Sequence, residues 1–177
     1  MIKSGLPWYL ASTLSPENNK KKILKKKIWE KSGGNVEAKY YGNRDFIMAL
    51  FQVVFKHIVD KAKETSASET EDSNKAGRAV EAEKELLDKF RHVLKPFIAD
   101  KPKLQLAAVY ALQMSCNALF FPKGLLLRSF VNFYEMDIVD EHAFLQWKED
   151  VNETYPGKGK ALFQVNINSS NYFFSFF

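Results

Sequence analysis

Apolar residues recur at three- and four-residue steps along most of the chain, and this spacing limits its possible folds more than any other feature. Over 45–61, where Asn43 is a candidate cap, and over 78–97, they fall on one helical face. Further helices are expected over 104–118, 123–134 and 141–151, and from Ala161. No run alternates apolar and polar residues over more than a few positions. Successive helices with short connections predict an all-α fold of antiparallel helix pairs stacked as a solenoid.

The composition fits one domain with a buried core. The chain has 177 residues, a hydrophobic share of 46% and one cysteine, which excludes an internal disulfide. Its apolar stretches are well below the roughly 20 residues that a membrane span needs. We expect a soluble, cytoplasmic protein with neither a membrane partner nor a small-molecule substrate.

Three segments depart from the helical pattern. Residues 64–77, ETSASETEDSNKAG, contain no large apolar side chain and predict a disordered loop. A lysine-rich segment over 1–31, partly helical, and an aromatic tail over 167–177 flank the helical domain, which we place at 32–166.

Charge is unevenly distributed along the chain. Residues 1–31 carry eight lysines against two glutamates, a net charge of +6, whereas residues 135–153 carry seven acids against Lys148, a net charge of −6. The two regions therefore favour different partners.

The basic region contains KKKILKKKIWEK at 20–31. An amphipathic helix with Leu24 and Ile28 inward and solvated lysines is the favoured interpretation. A nuclear import signal or contact with an RNA backbone is the alternative, although Trp29 is the only aromatic residue there and arginine is absent. The candidate RNA-binding residues are Lys20, Lys21, Lys22, Lys25, Lys26 and Lys27.

The glycine-lysine cluster at 156–161, PGKGKA, does not match a phosphate-binding loop. Its glycine spacing is wrong, and no serine or threonine follows the lysine. We interpret it as an interhelical turn in which Pro156 and Gly157 end one element and Gly159 frees the backbone before the next.

Catalytic and metal-binding patterns are also missing from the sequence. His57, His92 and His142 lie far apart, and Cys116, on a helix of small residues, is expected to be a buried thiol. We therefore expect no enzyme activity, no metal site and no cofactor.

The acidic stretch EMDIVDEHAFLQWKED at 135–150 has two interpretations. Phe144 and Trp147 are three residues apart and share a helical face. The helix is either an ordinary amphipathic one with a core aromatic pair, or a docking surface for a lysine-rich segment. Charge patterning leaves both open. The acids that frame the aromatic pair are Asp140, Glu141, Glu149 and Asp150.

The same region resembles a known family. The motifs FPKGLLLR, FVNFYEMDIV, AFLQWKED and PGKGKALFQVN, at near-constant spacing, are similar to the C-terminal W2 domain of translation initiation factors. The similarity extends from about Asp45 to Asn166. It implies a HEAT-like α-α superhelix at the end of a non-enzymatic scaffold. The scaffolds it resembles most lack the part that binds the cap-binding protein and support cap-independent initiation.

The resemblance also implies partners. Members of the family bind other initiation factors, notably lysine-rich segments of the factor 2 beta subunit, and some relatives dock a protein kinase. The family's first aromatic-acidic box falls on residues of the acidic stretch, which favours the docking interpretation. The predicted partner-binding residues are Asp140, Glu141, Phe144, Trp147, Glu149, Asp150 and Glu153.

The C-terminal tail departs from the family pattern, and a second type of W2 domain is an alternative. After Asn166 the family continues with a helix bearing two tryptophans and an acidic tail, whereas this sequence reads INSSNYFFSFF. That tail is atypical and lacks the negative charge that would attract lysines. A W2 domain of the exchange-factor type, acting on factor 2, is the other alternative, although no catalytic residue carries over.

Overall fold

A computed structural model describes residue 40 and residues 42–67, 75–151 and 154–166. Within these ranges the chain forms six α-helices and no β-strand, which confirms the all-α prediction. None of these helices is long and apolar enough to cross a membrane. The helices are α1 (Arg44–Ala67), α2 (Lys75–Ile98), α3 (Pro102–Ala118), α4 (Leu125–Glu135), α5 (Glu141–Glu149) and α6 (Lys158–Asn166).

The first two helices form an antiparallel pair. Phe46 near the start of α1 stacks on Phe97 near the end of α2, at 5.9 Å between ring centroids. Further along α1, His57 meets Phe90 edge-on. Asn43 caps α1, because its side-chain oxygen accepts hydrogen bonds from the backbone N–H groups of residues 45 and 46, at 2.8 and 3.0 Å.

Helix α3 occupies the centre of the described structure and packs against both α1 and α5. The small residues Ala107, Ala108 and Ala111 are 0% exposed, which allows neighbouring helices to approach closely. Polar contacts join residue 105 to residue 140 and residue 113 to residue 147. Helices α3 and α5 therefore run in the same direction, as equivalent helices of successive stacked pairs do.

The predicted loop over 64–77 is wrong at both of its ends. Helix α1 continues to Ala67, and α2 begins at Lys75. Lys61 forms an ion pair with Glu64 at 2.9 Å, and the hydroxyl of Thr65 donates to the carbonyl of Lys61. A solvent-exposed helix end needs no apolar residue. The helix therefore continues past the point where the apolar periodicity stops. Residues 68–74, like the predicted segments 1–31 and 167–177, lie outside the described residues.

The connection from α3 to α4 also differs from expectation. The sequence predicts a helix that begins at residue 123, but α4 begins at Leu125, after Gly124 in the left-handed region at φ 72°. Phe120 and Phe121 also have positive φ, and the N–H of Phe121 donates to the carbonyl of Cys116 at 2.7 Å. This turn buries Phe121 and leaves Phe120 86% exposed.

Candidate docking surface on the Trp147 helix

Helix α5 is anchored by its two aromatic residues. Phe144 and Trp147 are each 1% exposed and pack on Phe130 of α4, with both pairs of ring centroids 5.0 Å apart. The prediction that the two residues share a face is therefore confirmed. Because both point inward, they can position the helix but cannot contact a partner directly.

The indole of Trp147 is held by a buried glutamine of α3. Its Nε1 donates to Oε1 of Gln113 at 2.7 Å, and Gln113 is 0% exposed. The amide nitrogen of Gln113 donates in turn to the backbone carbonyls of Tyr155 and Pro156, at 3.3 and 2.9 Å. Gln113 therefore joins α5 to the segment that leads into α6.

A buried lysine caps the C-terminal end of α5. Lys158 is 7% exposed, donates to the backbone carbonyl of Trp147, and places Nζ 3.9 Å from the centroid of the Trp147 ring. Carbonyl groups in the last turn of a helix lack an intrahelical partner, and a cation there also complements the helix dipole. Burial lowers the pKa of Lys158 to about 8, and the nearby carboxylate of Asp150 opposes this shift.

The turn before α6 depends on one glycine. Gly157 has φ +85°, and a Cβ at this position would lie 2.6 Å from Oδ1 of Asn117. The predicted role of Gly157 in a turn is confirmed. The prediction for Gly159 is wrong, because Gly159 lies inside α6. Lys158 is thus a structural residue that turn chemistry alone did not reveal.

The N-terminal end of α5 is held by a second buried glutamine. Gln105 is 3% exposed; its Nε2 donates to Oδ2 of Asp140 at 2.7 Å, and its Oε1 accepts from the Asp140 N–H at 3.0 Å. The motifs in the sequence did not indicate a role for either Gln105 or Gln113. Their spacing of eight residues on a largely apolar helix was the available signal, since buried amides require partners.

Asp150 follows α5 and belongs to an internal network. Its carboxylate accepts a hydrogen bond from the hydroxyl of Tyr110. Burial and this carboxylate raise the pKa of Tyr110 well above its usual value. The Tyr110 ring lies 4.6 Å from that of Tyr155, which faces the guanidinium of Arg44 at 5.3 Å. Asp150 therefore supports the fold around α5.

The acids at 135–153 do not form one continuous surface. Glu135 pairs with Lys84 at 3.2 Å, and Asp137 lies 4.0 Å from Lys95, both on α2. Asp140 bonds to the neutral side chain of Gln105, whereas Asp150 bonds to Tyr110 and also lies near the charged Lys158. Glu153 lies outside the described residues.

Two carboxylates of α5 keep an outward position. Glu141 and Glu149 are exposed, and neither has a side-chain hydrogen bond or ion pair within the described ranges. We call the outward residues of the helix the α5 face. They are the exposed Glu141, His142, Gln146 and Glu149 and the half-buried Leu145 and Lys148. Val151, which follows Asp150 just after the helix, is 90% exposed.

The other sequence candidates lie elsewhere. Cys116 is 0% exposed, and burial raises its pKa to about 12, which confirms the predicted buried thiol. Among the described residues no group of three His, Cys, Asp or Glu could hold a metal ion. The six lysines predicted to contact RNA, at 20–22 and 25–27, lie outside the described residues.

Comparisons with known proteins agree with the motifs. Residues 104–167 match the family model described as W2, eIF4-gamma/eIF5/eIF2-epsilon. The chain is 42% identical over 132 residues to eukaryotic translation initiation factor 4 gamma 2 from Mus musculus, Homo sapiens and Oryctolagus cuniculus. These matches cover 75% of this chain and 15% of each relative. The chain thus spans a small part of the length of the curated relatives it matches.

Proposed function

The chain belongs to the W2 family of translation initiation factors, and from this membership we propose that it is a docking module of an initiation scaffold. The α5 face would hold a basic segment of another initiation factor, such as the lysine-rich part of the factor 2 beta subunit. In the parent scaffold this contact would support cap-independent initiation. The relatives named factor 4 gamma 2 support a scaffold role over nucleotide exchange.

One observation carries this proposal. Glu141 and Glu149 stand outward on a helix that is fixed at both ends, by Gln105 at its start and by Lys158 at its end. Eight residues of helix separate the two carboxylates by about 12 Å along the axis. Their positions are set by buried contacts before a partner arrives, which reduces the entropy lost on binding.

The expected binding is weak and dependent on salt. An exposed ion pair contributes about 0.2–1 kcal/mol, so two such pairs change affinity only several-fold. Complementary charge acts mainly on the association rate and on partner choice, and it is screened within about 10 Å at 0.1 M salt. Leu145 and Val151 offer apolar contact beside the charges.

Charge-neutralising variants test the proposal. Glu141→Gln with Glu149→Gln is expected to weaken binding of a labelled 12-residue oligolysine about two- to tenfold at low salt. The salt dependence of binding should also become flatter. The matched control is Glu81→Gln with Glu85→Gln on the exposed side of α2, which makes the same change in net charge. Equal loss of affinity in both double variants would refute a specific α5 face.

Asp150 and Trp147 are unsuitable for that test. Substituting Asp150 would break its contact with Tyr110, and substituting Trp147 would leave the buried side-chain oxygen of Gln113 without its donor. A loss of binding in either variant would report damage to the fold. Their predicted partner-binding roles are therefore proposed as positioning roles.

A further inference from the structure

The first described helix begins beside the C-terminal end of α5. Arg44, the first residue of α1, faces the ring of Tyr155 at 5.3 Å, and Tyr155 stacks on Tyr110 at 4.6 Å. The hydroxyl of Tyr110 donates to Asp150, the residue directly after α5. A short chain of contacts therefore connects the point where the N-terminal part of the protein enters the fold to the end of the α5 face.

The charge of that N-terminal part is opposite to the charge of the α5 face. Residues 20–31 contain seven lysines and one glutamate, a net charge of +6. The outward carboxylates of the α5 face are Glu141 and Glu149. Residues of the same chain thus have the chemistry that the proposed function assigns to an external partner.

The covalent connection is long enough for the two to meet. Residues 32–39 separate the lysines from Tyr40, which packs on Phe46 just before α1, and eight residues span at most about 30 Å when extended. Helix α5 has nine residues, or about 13 Å. Lysines tethered at Tyr40 therefore have enough chain to reach the α5 face while the described helices stay in place.

We propose that the lysine-rich segment 20–31 docks on the α5 face of its own chain and competes there with basic partners. The inference rests on the proposed function, because it uses the same surface. A tethered segment has an effective concentration near the millimolar range for a short linker. Contacts that are weak between separate molecules then keep the segment bound in an appreciable fraction of the chains. A partner must displace the segment to bind.

A competition experiment on the full chain tests this. Neutralising Lys21, Lys22, Lys25 and Lys26 to glutamine should raise the affinity for the labelled 12-residue oligolysine about threefold or more at low salt. The control neutralises four exposed lysines of the described helices and turns, and lowers the net charge equally. These are Lys56, Lys89, Lys103 and Lys123. The control should show a clearly smaller gain.

Crosslinking of the unmodified chain provides an independent readout. A carbodiimide joins a lysine amine to a carboxylate only when the two are in contact. Peptide mapping of the monomer should find amides between the 20–31 segment and Glu141 or Glu149 at low salt. These crosslinks should decrease strongly at about 0.5 M salt because screening weakens the contact.

The outcomes separate the inference from the proposed function. Equal peptide affinity in the two four-lysine variants, together with no such crosslink, would overturn intramolecular docking. If the Glu141→Gln and Glu149→Gln variant still bound the peptide more weakly, the proposed function would stand. If the Glu141→Gln and Glu149→Gln variant bound the peptide as tightly as the unmodified chain, both intramolecular docking and the proposed function would be refuted.

Discussion

Lys158 places its ammonium nitrogen 3.9 Å from the centroid of the Trp147 ring and donates a hydrogen bond to the Trp147 backbone carbonyl. The two residues join α6 to the end of α5. With Gln105 at the other end, this contact fixes the helix that carries the proposed docking surface. The rigidity of the α5 face therefore comes from buried polar contacts as well as from aromatic packing.

The lowered pKa of Lys158 predicts a pH dependence of stability. The pKa falls from 10.5 to about 8 on folding, so between these values the unfolded chain binds more protons than the native chain. The free energy of unfolding should therefore rise with pH from about 8 to about 10.5, relative to a variant that cannot titrate.

Urea unfolding of the unmodified protein and of Lys158→Met at about pH 7.5 and 9.5 measures this effect. The difference in free energy between the two proteins should move in favour of the unmodified protein at the higher pH. Titration of Cys116 and Tyr110, whose pKa values are raised, is common to both proteins and cancels in the difference. A difference that stays constant would contradict the assignment.

Gln113 is predicted to be essential for the stability of the fold around α5. Gln113→Leu removes the acceptor of the buried Trp147 indole N–H and the donor to two backbone carbonyls. Each buried group left unsatisfied costs about 1–3 kcal/mol, so a loss of about 2–4 kcal/mol is expected in the free energy of unfolding. Gln146→Leu, on the exposed side of α5, is the control and should change stability little.

Alanine substitutions at two glycines separated by one residue should change the stability of the fold in opposite directions. Gly157→Ala forces a side chain into the left-handed region and against Asn117, so a loss of about 1–3 kcal/mol is expected. Gly159 lies in α6, where an alanine methyl group would meet nothing within 4 Å, and Gly159→Ala should stabilise the helix by about 0.5–1 kcal/mol. Equal effects of the two substitutions in thermal unfolding would contradict the described turn.

The sequence was sufficient to predict the helices and the inward face of α5. Apolar spacing identified Phe144 and Trp147 as neighbours on one face, and burial of both side chains followed from their packing on α4. Local composition was less reliable at helix ends. The exposed end of α1 is polar, and polar residues are compatible with both a loop and a solvated helix.

The division of the acids between fold and surface could not be predicted from local sequence. Glu135 meets a lysine 51 residues away, Asp140 a glutamine 35 residues away, and Asp150 a tyrosine 40 residues away. Only the packing of α2 and α3 against the later helices creates these pairs. Of the six acids at 135–150 that the structure describes, two are outward carboxylates without a partner among the described residues, Glu141 and Glu149.

Amide chemical-shift mapping of the full chain shows whether the α5 face receives a basic segment, as we propose. Titration with the unlabelled 12-residue oligolysine should shift the amides of Glu141, Leu145 and Glu149 most, and about 0.5 M salt should reverse the shifts. Amides on the exposed side of α2 should remain in place. Shifts concentrated on α2, or spread evenly over the surface, would contradict the claim.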